Sequence, residues 1–189
     1  MARASQTETA VLGGLSVQPM TGYALREAIR DVLGHFWSES YGQIYPTLSA
    51  LERQGHVRKE DATKTGASTF VITPSGTRRL RELLAQPIQV APPRNGLLLR
   101  LYFGRQLGPA ACRELLQTAL GEAQDALARY AAIRAEVEAQ DVGDRDYWLL
   151  TVSAGEHSAR AAVAWATAGL STMDEIDADP TRTRPGSTA

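Results

Sequence analysis

The chain has 189 residues, which is enough for one large domain or two small ones with a hydrophobic core. Its net charge of −1 is not that of a strongly basic nucleic-acid-binding protein, although residues 1–90 carry +2 (ten Lys or Arg, eight Asp or Glu) and residues 91–189 carry −3 (ten and thirteen). A single cysteine, Cys112, excludes an internal disulfide framework and fits a reducing cytoplasm. We find no signal peptide and no apolar run of about 18 residues, so we expect neither secretion nor a membrane span.

Two short helices are predicted before residue 34. Thr7 or Thr9 starts the first after a frayed segment of residues 1–6, and Pro19 ends it. Thr21 then caps a second helix, Gly22–Leu33, whose apolar residues follow helical spacing.

The stretch Ser40–Gln54 is predicted to form a third helix with both ends marked. Ser40 and Gln43 have the spacing of a capping box, and Gly55 suits a left-handed exit from the helix. The apolar residues share one face, which we expect to pack inward: Tyr41, Ile44, Leu48 and Leu51. Pro46 lies past the first turn and is expected to bend the helix. Three short helices with tight connections make a helix-turn-helix arrangement plausible.

The other faces of this helix carry groups that can bond to bases or phosphates, namely Gln43, Tyr45, Thr47 and Arg53. Gln43 either reads a base or completes the capping box, and both readings stay open. Thr47 is better placed to face a groove. Tyr45 follows inward-facing Ile44, so its ring is expected to be exposed and to donate to a phosphate.

A hairpin follows the third helix. Val57–Glu60 and Ser68–Thr73 read as two strands joined by a polar turn over residues 61–67. Thr73 and Pro74 then start a fourth helix with three inward-facing leucines, Leu80, Leu83 and Leu84. Three helices, a two-stranded wing and a further helix predict a winged helix-turn-helix domain, so the fold class is mainly α (α+β).

The C-terminal half is predicted to be all helical. The predicted segments are a winged-helix domain (1–86), a linker (87–96), a helical domain (97–176) and a disordered tail (177–189). Leu97–Phe103 reads as a short buried helix, and a long helix from Gly108 to about Gln140 carries a near-heptad apolar stripe. The length of that helix calls for an antiparallel partner or a second subunit. A last helix runs from about Arg145 to Ile176.

Several of these strings resemble the PadR family of transcriptional regulators. Phe36–Leu48 and Leu51–Gly55 are very similar to the family's recognition helix. Gly22-Tyr23 is similar to its second helix, and Thr73–Gly76 to the start of its fourth. The C-terminal pattern, with Leu99-Arg100, Tyr102-Phe103 and Trp165, resembles the helical dimerisation domain of the longer subgroup. The resemblance spans residues 8–175.

The resemblance implies a homodimeric repressor that binds operator DNA and that a small molecule releases. Two-fold symmetry then implies an inverted-repeat operator. The predicted DNA-binding residues are Tyr23, Ser40, Tyr41, Gln43, Tyr45, Thr47, Arg53 and Lys64. The chain departs from the family in its second wing strand, which lacks the usual basic residues. Lys64 at the turn, with or without Arg58 and Lys59, must therefore supply the wing's phosphate contacts. Fewer phosphate contacts imply modest affinity and a shallow salt dependence.

Rival interpretations remain open. Trp148 and Trp165 either line an effector pocket between the two domains or pack in the core or dimer interface. The near-neutral net charge and the lack of basic residues in the second wing strand also allow a small-molecule sensor or protein-interaction module that binds DNA weakly. A hydrolase using His157 is disfavoured, because its neighbours form a poor catalytic set. We expect no enzymatic activity, no cofactor, no metal site and no membrane partner.

Overall fold

The computed structural model describes residues 2–33, 37, 41–60, 68–88 and 94–178, without the side chains of residues 2–5, Val32 and Tyr41. The chain divides into two compact units, Met1–Ala91 and Pro92–Ala189. The division falls inside the predicted linker. Residues 179–189, which make up most of the predicted tail, lie outside the described residues.

The N-terminal unit contains helices, one π-helical turn and three short strands. Its elements in chain order are α1 (Ala2–Val17), β1 (Met20–Thr21), α2 (Gly22–Ala28), the π-helical turn (Ile29–Leu33), α3 (Tyr41–Arg53), β2 (Val57–Glu60), β3 (Thr69–Ile72) and α4 (Pro74–Leu84). The strands form an antiparallel sheet in the order β1-β3-β2, in which Phe70 pairs with Met20 on one side and Lys59 on the other.

One hydrophobic core holds this unit together. Buried side chains from α1, α2, the π-helical turn, α3, β2 and α4 meet in it, namely Ala10, Val11, Leu12, Leu15, Leu25, Ile29, Ile44, Leu48, Leu51, Val57, Leu80 and Leu83. The prediction for Leu84 is wrong, because 66% of its surface is exposed. Leu80 and Leu83, three residues apart on one face of α4, are buried, and Leu84 lies about 100° from Leu83, beyond the edge of that face.

Two other predictions for this unit need correction. The first helix begins at Ala2 rather than at Thr7 or Thr9, since the segment before Thr7 contains Ala, Arg and Gln, which favour helix. The sheet has three strands rather than two, because Met20–Thr21 pairs with Thr69 and Phe70. A two-residue strand is too short to show periodicity in the sequence.

Three of the predicted helix ends are confirmed, at Thr21, Gly55 and Thr73. Thr21 Oγ1 accepts a hydrogen bond from the Ala24 amide at 3.1 Å, and Thr73 Oγ1 accepts one from the Gly76 amide at 3.1 Å. Gly55 has a φ of 73°, the left-handed conformation that glycine adopts without strain. These ends fix where α2, α3 and α4 begin or stop.

The C-terminal unit is helical over its described residues. Its elements are α5 (Gly96–Tyr102), α6 (Gly104–Leu107), α7 (Pro109–Glu138) and α8 (Arg145–Ala178). Arg113 near the start of α7 bonds Asp174 and Asp177 at 2.7 and 2.8 Å, while Arg134 near its end bonds Glu156 at 2.8 and 3.0 Å. The two long helices are therefore antiparallel.

Helix α5 is where it was predicted, but it is not buried within the chain. Leu98, Leu99, Tyr102 and Phe103 are all exposed. Leu97 and Leu101 of the same segment are partly buried, so over the described residues α5 is covered on one side only. Over the described residues, no helix is long and apolar enough to cross a membrane.

Candidate nucleic-acid interface

Helix α3 is fixed in place by one apolar face. Ile44, Leu48 and Leu51 are each 1% exposed in the core, as their spacing predicted. Only the backbone of Tyr41 is described, so its predicted inward ring is outside the described side chains. With this face held, the opposite face of α3 lies at the protein surface.

That opposite face is made of small and polar groups. At about 100° per residue, the residues opposite the core are all exposed, namely Gly42, Pro46, Ser49 and Arg53. Gln43 flanks this face on one side, with partly buried Thr47 one turn further on, and Tyr45 flanks it on the other. Ser49 is not among the predicted contact residues, although a helical wheel drawn from the core residues identifies it.

Arg53 lies at the far end of α3 from Gln43. Ten residues separate them, which is about 15 Å along a helix. The Arg53 Nε donates to the Ser49 carbonyl at 3.4 Å, so the side chain lies back along its own helix. Residues near the N-terminus of a recognition helix reach base edges. This geometry favours base contacts from Gln43 and a backbone contact from Arg53.

Helix α2 adds a second aromatic residue to this surface. Tyr23 is 62% exposed, and the Arg26 guanidinium carbon lies 5.3 Å from the centre of its ring. Arg26 also donates to Glu27 Oε1 at 3.1 and 3.2 Å. The phenol of Tyr23 is therefore held on the surface beside a positive charge, which suits a contact with a phosphate.

Several basic side chains of this unit are paired with acids. Arg30 is bonded to Glu27 at 2.6 Å and to Asp31 at 2.7 Å, and its hydrogen bond lowers the pKa of Asp31 below the usual range. On the wing, Lys59 lies 3.6 Å from Glu52. Paired charges release fewer counterions on binding DNA. Two predicted contact residues, Ser40 and Lys64, lie outside the described residues.

Comparison with known proteins gives a family match within each of the two units. The profile described as "Transcriptional regulator PadR-like family" matches residues 11–82, and that described as "Virulence activator alpha C-term" matches residues 93–174. The negative transcriptional regulator PadR of Bacillus subtilis is 27% identical over 177 residues, covering 88% of this chain and 96% of that protein. Residues 11–82 of the chain are therefore a PadR-like domain. The matched families are regulators of transcription rather than enzymes.

Solved structures of PadR-like proteins have the same fold. Bacillus subtilis PadR in complex with operator DNA gives a TM-score of 0.76 at 22% identity, covering 88% of this chain and 98% of that one. The same protein in complex with p-coumaric acid gives 0.72 at 23% identity, again with 88% and 98% covered. The predicted winged helix with a helical C-terminal region is confirmed.

A cavity lies within the C-terminal unit of the chain. It has a volume of about 660 Å³ and is mostly apolar, and its wall includes Leu101, Arg105, Cys112, Leu116, Trp165 and Met173. The volume lies within the range of about 300–1,000 Å³ that is typical of small-molecule sites. Trp165 is 41% exposed there, so its ring is available to a ligand.

Trp148 does not line this cavity. It lies in the first turn of α8, 17 residues before Trp165, which corresponds to about 25 Å along the helix. The two tryptophans of one chain therefore cannot enclose one small ligand, and their prediction as a joint site needs correction. Trp148 is only partly buried, and its amide donates to the Asp144 carbonyl at 3.1 Å.

The disfavoured catalytic interpretation also has a geometric test. His157 Nδ1 lies 2.8 Å from the Ser153 carbonyl oxygen and 3.4 Å from the Ser153 hydroxyl. Because a carbonyl only accepts, Nδ1 carries the proton and cannot act as the base for that hydroxyl. Within the described part of the chain, no group of three His, Cys, Asp or Glu residues could hold a metal ion.

Proposed function

We propose that the chain is a homodimeric transcriptional repressor that places α3 in the major groove of operator DNA. The observation that carries the proposal is the division of α3 into a buried face, Ile44, Leu48 and Leu51, and an exposed face flanked by Gln43 and Tyr45. The match of residues 11–82 to a regulator family and the role of the Bacillus subtilis relative as a negative regulator support it. Because it acts on genomic DNA, the protein would work in the cytoplasm.

Gln43 and Thr47 would approach base edges, while Tyr23, Tyr45, Arg53 and Lys64 would hold the DNA backbone. Ser40 and Tyr41 would contact the DNA at the start of α3. Bacillus subtilis PadR has been solved with operator DNA, which supports the same kind of partner for this chain. A symmetric dimer would require an inverted repeat with half-sites about one or two helical turns apart.

The dimer would form through the C-terminal unit. Support comes from the exposed apolar residues of α5 and α6, namely Leu98, Leu99, Tyr102, Phe103 and Leu107. A soluble monomer rarely leaves so many large apolar side chains in one short segment open to water. A second copy of the chain would cover them.

The cavity around Trp165 would receive a small aromatic effector. Bacillus subtilis PadR has been solved with p-coumaric acid, which supports a ligand of this class. Such a ligand would release DNA only if it bound the DNA-free arrangement of the two units better than the DNA-bound one. A Trp165→Ala variant should keep operator affinity and lose its response to the effector.

The proposal is tested by titrating DNA from immediately upstream of the protein's own gene with wild type and with a Gln43→Ala, Thr47→Ala double variant, at two salt concentrations. We expect sequence-dependent binding that the double variant weakens at least about ten-fold, because each good base contact contributes about 1–3 kcal/mol. The matched control is Gln117→Ala, Thr118→Ala, which removes the same two residue types from exposed positions on α7.

The outcome separates two functions. Loss of affinity in the α3 variant alone supports the repressor. Weak binding that neither variant changes would contradict it and favour the alternative, a small-molecule sensor or interaction module on the same fold. Two observations support this alternative: Arg26 of α2 and Arg30 of the π-helical turn are paired with acids, and the second wing strand has no basic residues.

A further inference from the structure

The first residue of α2 packs directly against the ring of Tyr45. Gly22 is buried, and a methyl group on its Cα would lie 2.8 Å from Tyr45 Cε1 and 3.5 and 3.6 Å from Cδ1 and Cζ. Carbon atoms in contact normally stay about 3.5–4.0 Å apart. The Tyr45 ring therefore occupies the space that any side chain at position 22 would need.

The backbone at Gly22 does not require glycine. Positive φ angles among the described glycines occur at Gly55 and Gly108 and not at Gly22. Glycine is also a poor helix former compared with alanine. The local structure of α2 would thus be served better by a larger residue, and the space taken by the Tyr45 ring is the physical reason for glycine.

Both sides of this contact are held in place. Thr21 fixes the start of α2 by accepting a hydrogen bond from the Ala24 amide at 3.1 Å. On α3, Ile44 is buried immediately before Tyr45. The ring itself is 47% exposed, on the flank of the outward face of α3 that faces α2.

We propose that Gly22 is a positioning residue, which lets the Tyr45 ring lie against α2 so that its hydroxyl is presented to the DNA backbone. The inference rests on the proposed function, since it needs operator DNA as the partner. A side chain that is already ordered loses less conformational entropy when it bonds to a phosphate. A phenol hydroxyl would contribute a hydrogen bond to the phosphate without releasing a counterion.

A methyl group at position 22 would displace the Tyr45 ring from its place against α2. Because the ring is half exposed, it can turn into solvent, so the fold survives while the hydroxyl loses its fixed place. We expect Gly22→Ala to weaken operator binding about 3- to 10-fold, which is the effect of losing one hydrogen bond. The loss should be the same for the operator and for unrelated DNA, because phosphate contacts carry no sequence information.

The test is a double-mutant cycle on operator affinity with Gly22→Ala, Tyr45→Phe and the two combined. Tyr45→Phe keeps the ring against Gly22 and removes only the hydroxyl. The matched control is Gly13→Ala, which adds the same methyl group to a helical glycine with nothing within 4 Å. Thermal unfolding of every variant is measured beside the titrations.

If Gly22 acts through the Tyr45 hydroxyl, the combined variant binds operator DNA no more weakly than the single variant that has the lower affinity. If Gly22→Ala weakens binding by the same factor with and without the hydroxyl, the effect is structural and the inference is overturned. It is also overturned if wild type binds its operator and Tyr45→Phe binds equally well, a result that leaves the repressor function standing. Failure of wild type to bind any upstream DNA would instead remove the proposed function itself.

Discussion

The two units of the chain bury their apolar side chains in different ways. The N-terminal unit surrounds large residues such as Leu12, Leu25 and Leu48 with helices and a small sheet until almost no water reaches them. The C-terminal unit buries fewer residues between α7 and α8, among them Leu116, Ala123, Val152 and Ala166. Several of its large apolar residues, including Leu98 and Leu99 of α5, are exposed.

The difference shows which unit can be stable alone. A packed three-dimensional core gains free energy from every face of the side chains inside it. Two antiparallel helices have a single line of contact, and here ion pairs from Arg113 and Arg134 add to it near both ends. We therefore expect the N-terminal unit to depend on its own core and the C-terminal unit to depend on a second surface.

The sharpest test of the first half of this comparison is Leu48→Ala. The side chain is 1% exposed between α3 and the rest of the core, so its truncation should lower the free energy of unfolding of the N-terminal unit by about 2–5 kcal/mol. Chemical denaturation followed by circular dichroism measures this. Leu84→Ala makes the same change on exposed α4 and should cost no more than about 0.5 kcal/mol. Equal costs for the two variants would contradict the described core.

The second half of the comparison is tested with Leu99→Asp on α5. A charge on this exposed face should leave folding intact and weaken self-association at least about ten-fold, because one leucine buried at an interface contributes about 1.5–3 kcal/mol. Sedimentation equilibrium over a range of protein concentrations measures the dissociation constant. Val142→Asp, in the exposed turn between α7 and α8, is the matched control. A dimer that is unchanged by Leu99→Asp would mean that α5 lies outside the interface.

The same contrast explains how far the sequence predicts the fold. In the N-terminal unit the signals are local: Thr21 and Thr73 cap helices, Gly55 ends α3, and the spacing of Ile44, Leu48 and Leu51 marks a buried face. Each of these signals depends on residues within one or two helical turns, so the local sequence pattern is sufficient to predict the structure there. The strand Met20–Thr21 was missed because its pairing partner lies about 50 residues away.

In the C-terminal unit the sequence predicts the helices but not what covers them. The sequence predicts that the apolar run around Leu99 is buried. In the structure it is exposed, because the described residues of the same chain do not cover it. The candidate site divides in the same way. The helical pattern predicts the exposure of Gln43 and Tyr45. The contact of Tyr45 with Gly22 joins two helices, so the local sequence of neither helix predicts it.

The smallest effect is expected where the two long helices are joined by charge. Glu156 is buried, and the hydrogen bonds from Arg134 lower its pKa below that of an ordinary glutamate. Its contribution to stability is therefore fully present above the pKa of an unfolded glutamate, about 4.3, and is lost as the pH falls through the lower folded value. Glu156→Gln removes the charge, so wild type should be more stable than the variant at pH 7, and this difference should shrink below about pH 4.

Denaturation of both proteins between pH 7 and pH 3 measures the effect, with Glu122→Gln on an exposed part of α7 as the control that should show no difference. The effect should be modest because water reaches the Arg134 side chain, which is 31% exposed, and weakens the pair. A stability difference that is the same at every pH would mean that Glu156 acts through packing rather than through its charge. The charge of Glu156 would then add nothing to the α7–α8 contact, and the ion pairs from Arg113 to Asp174 and Asp177 would remain between the two helices.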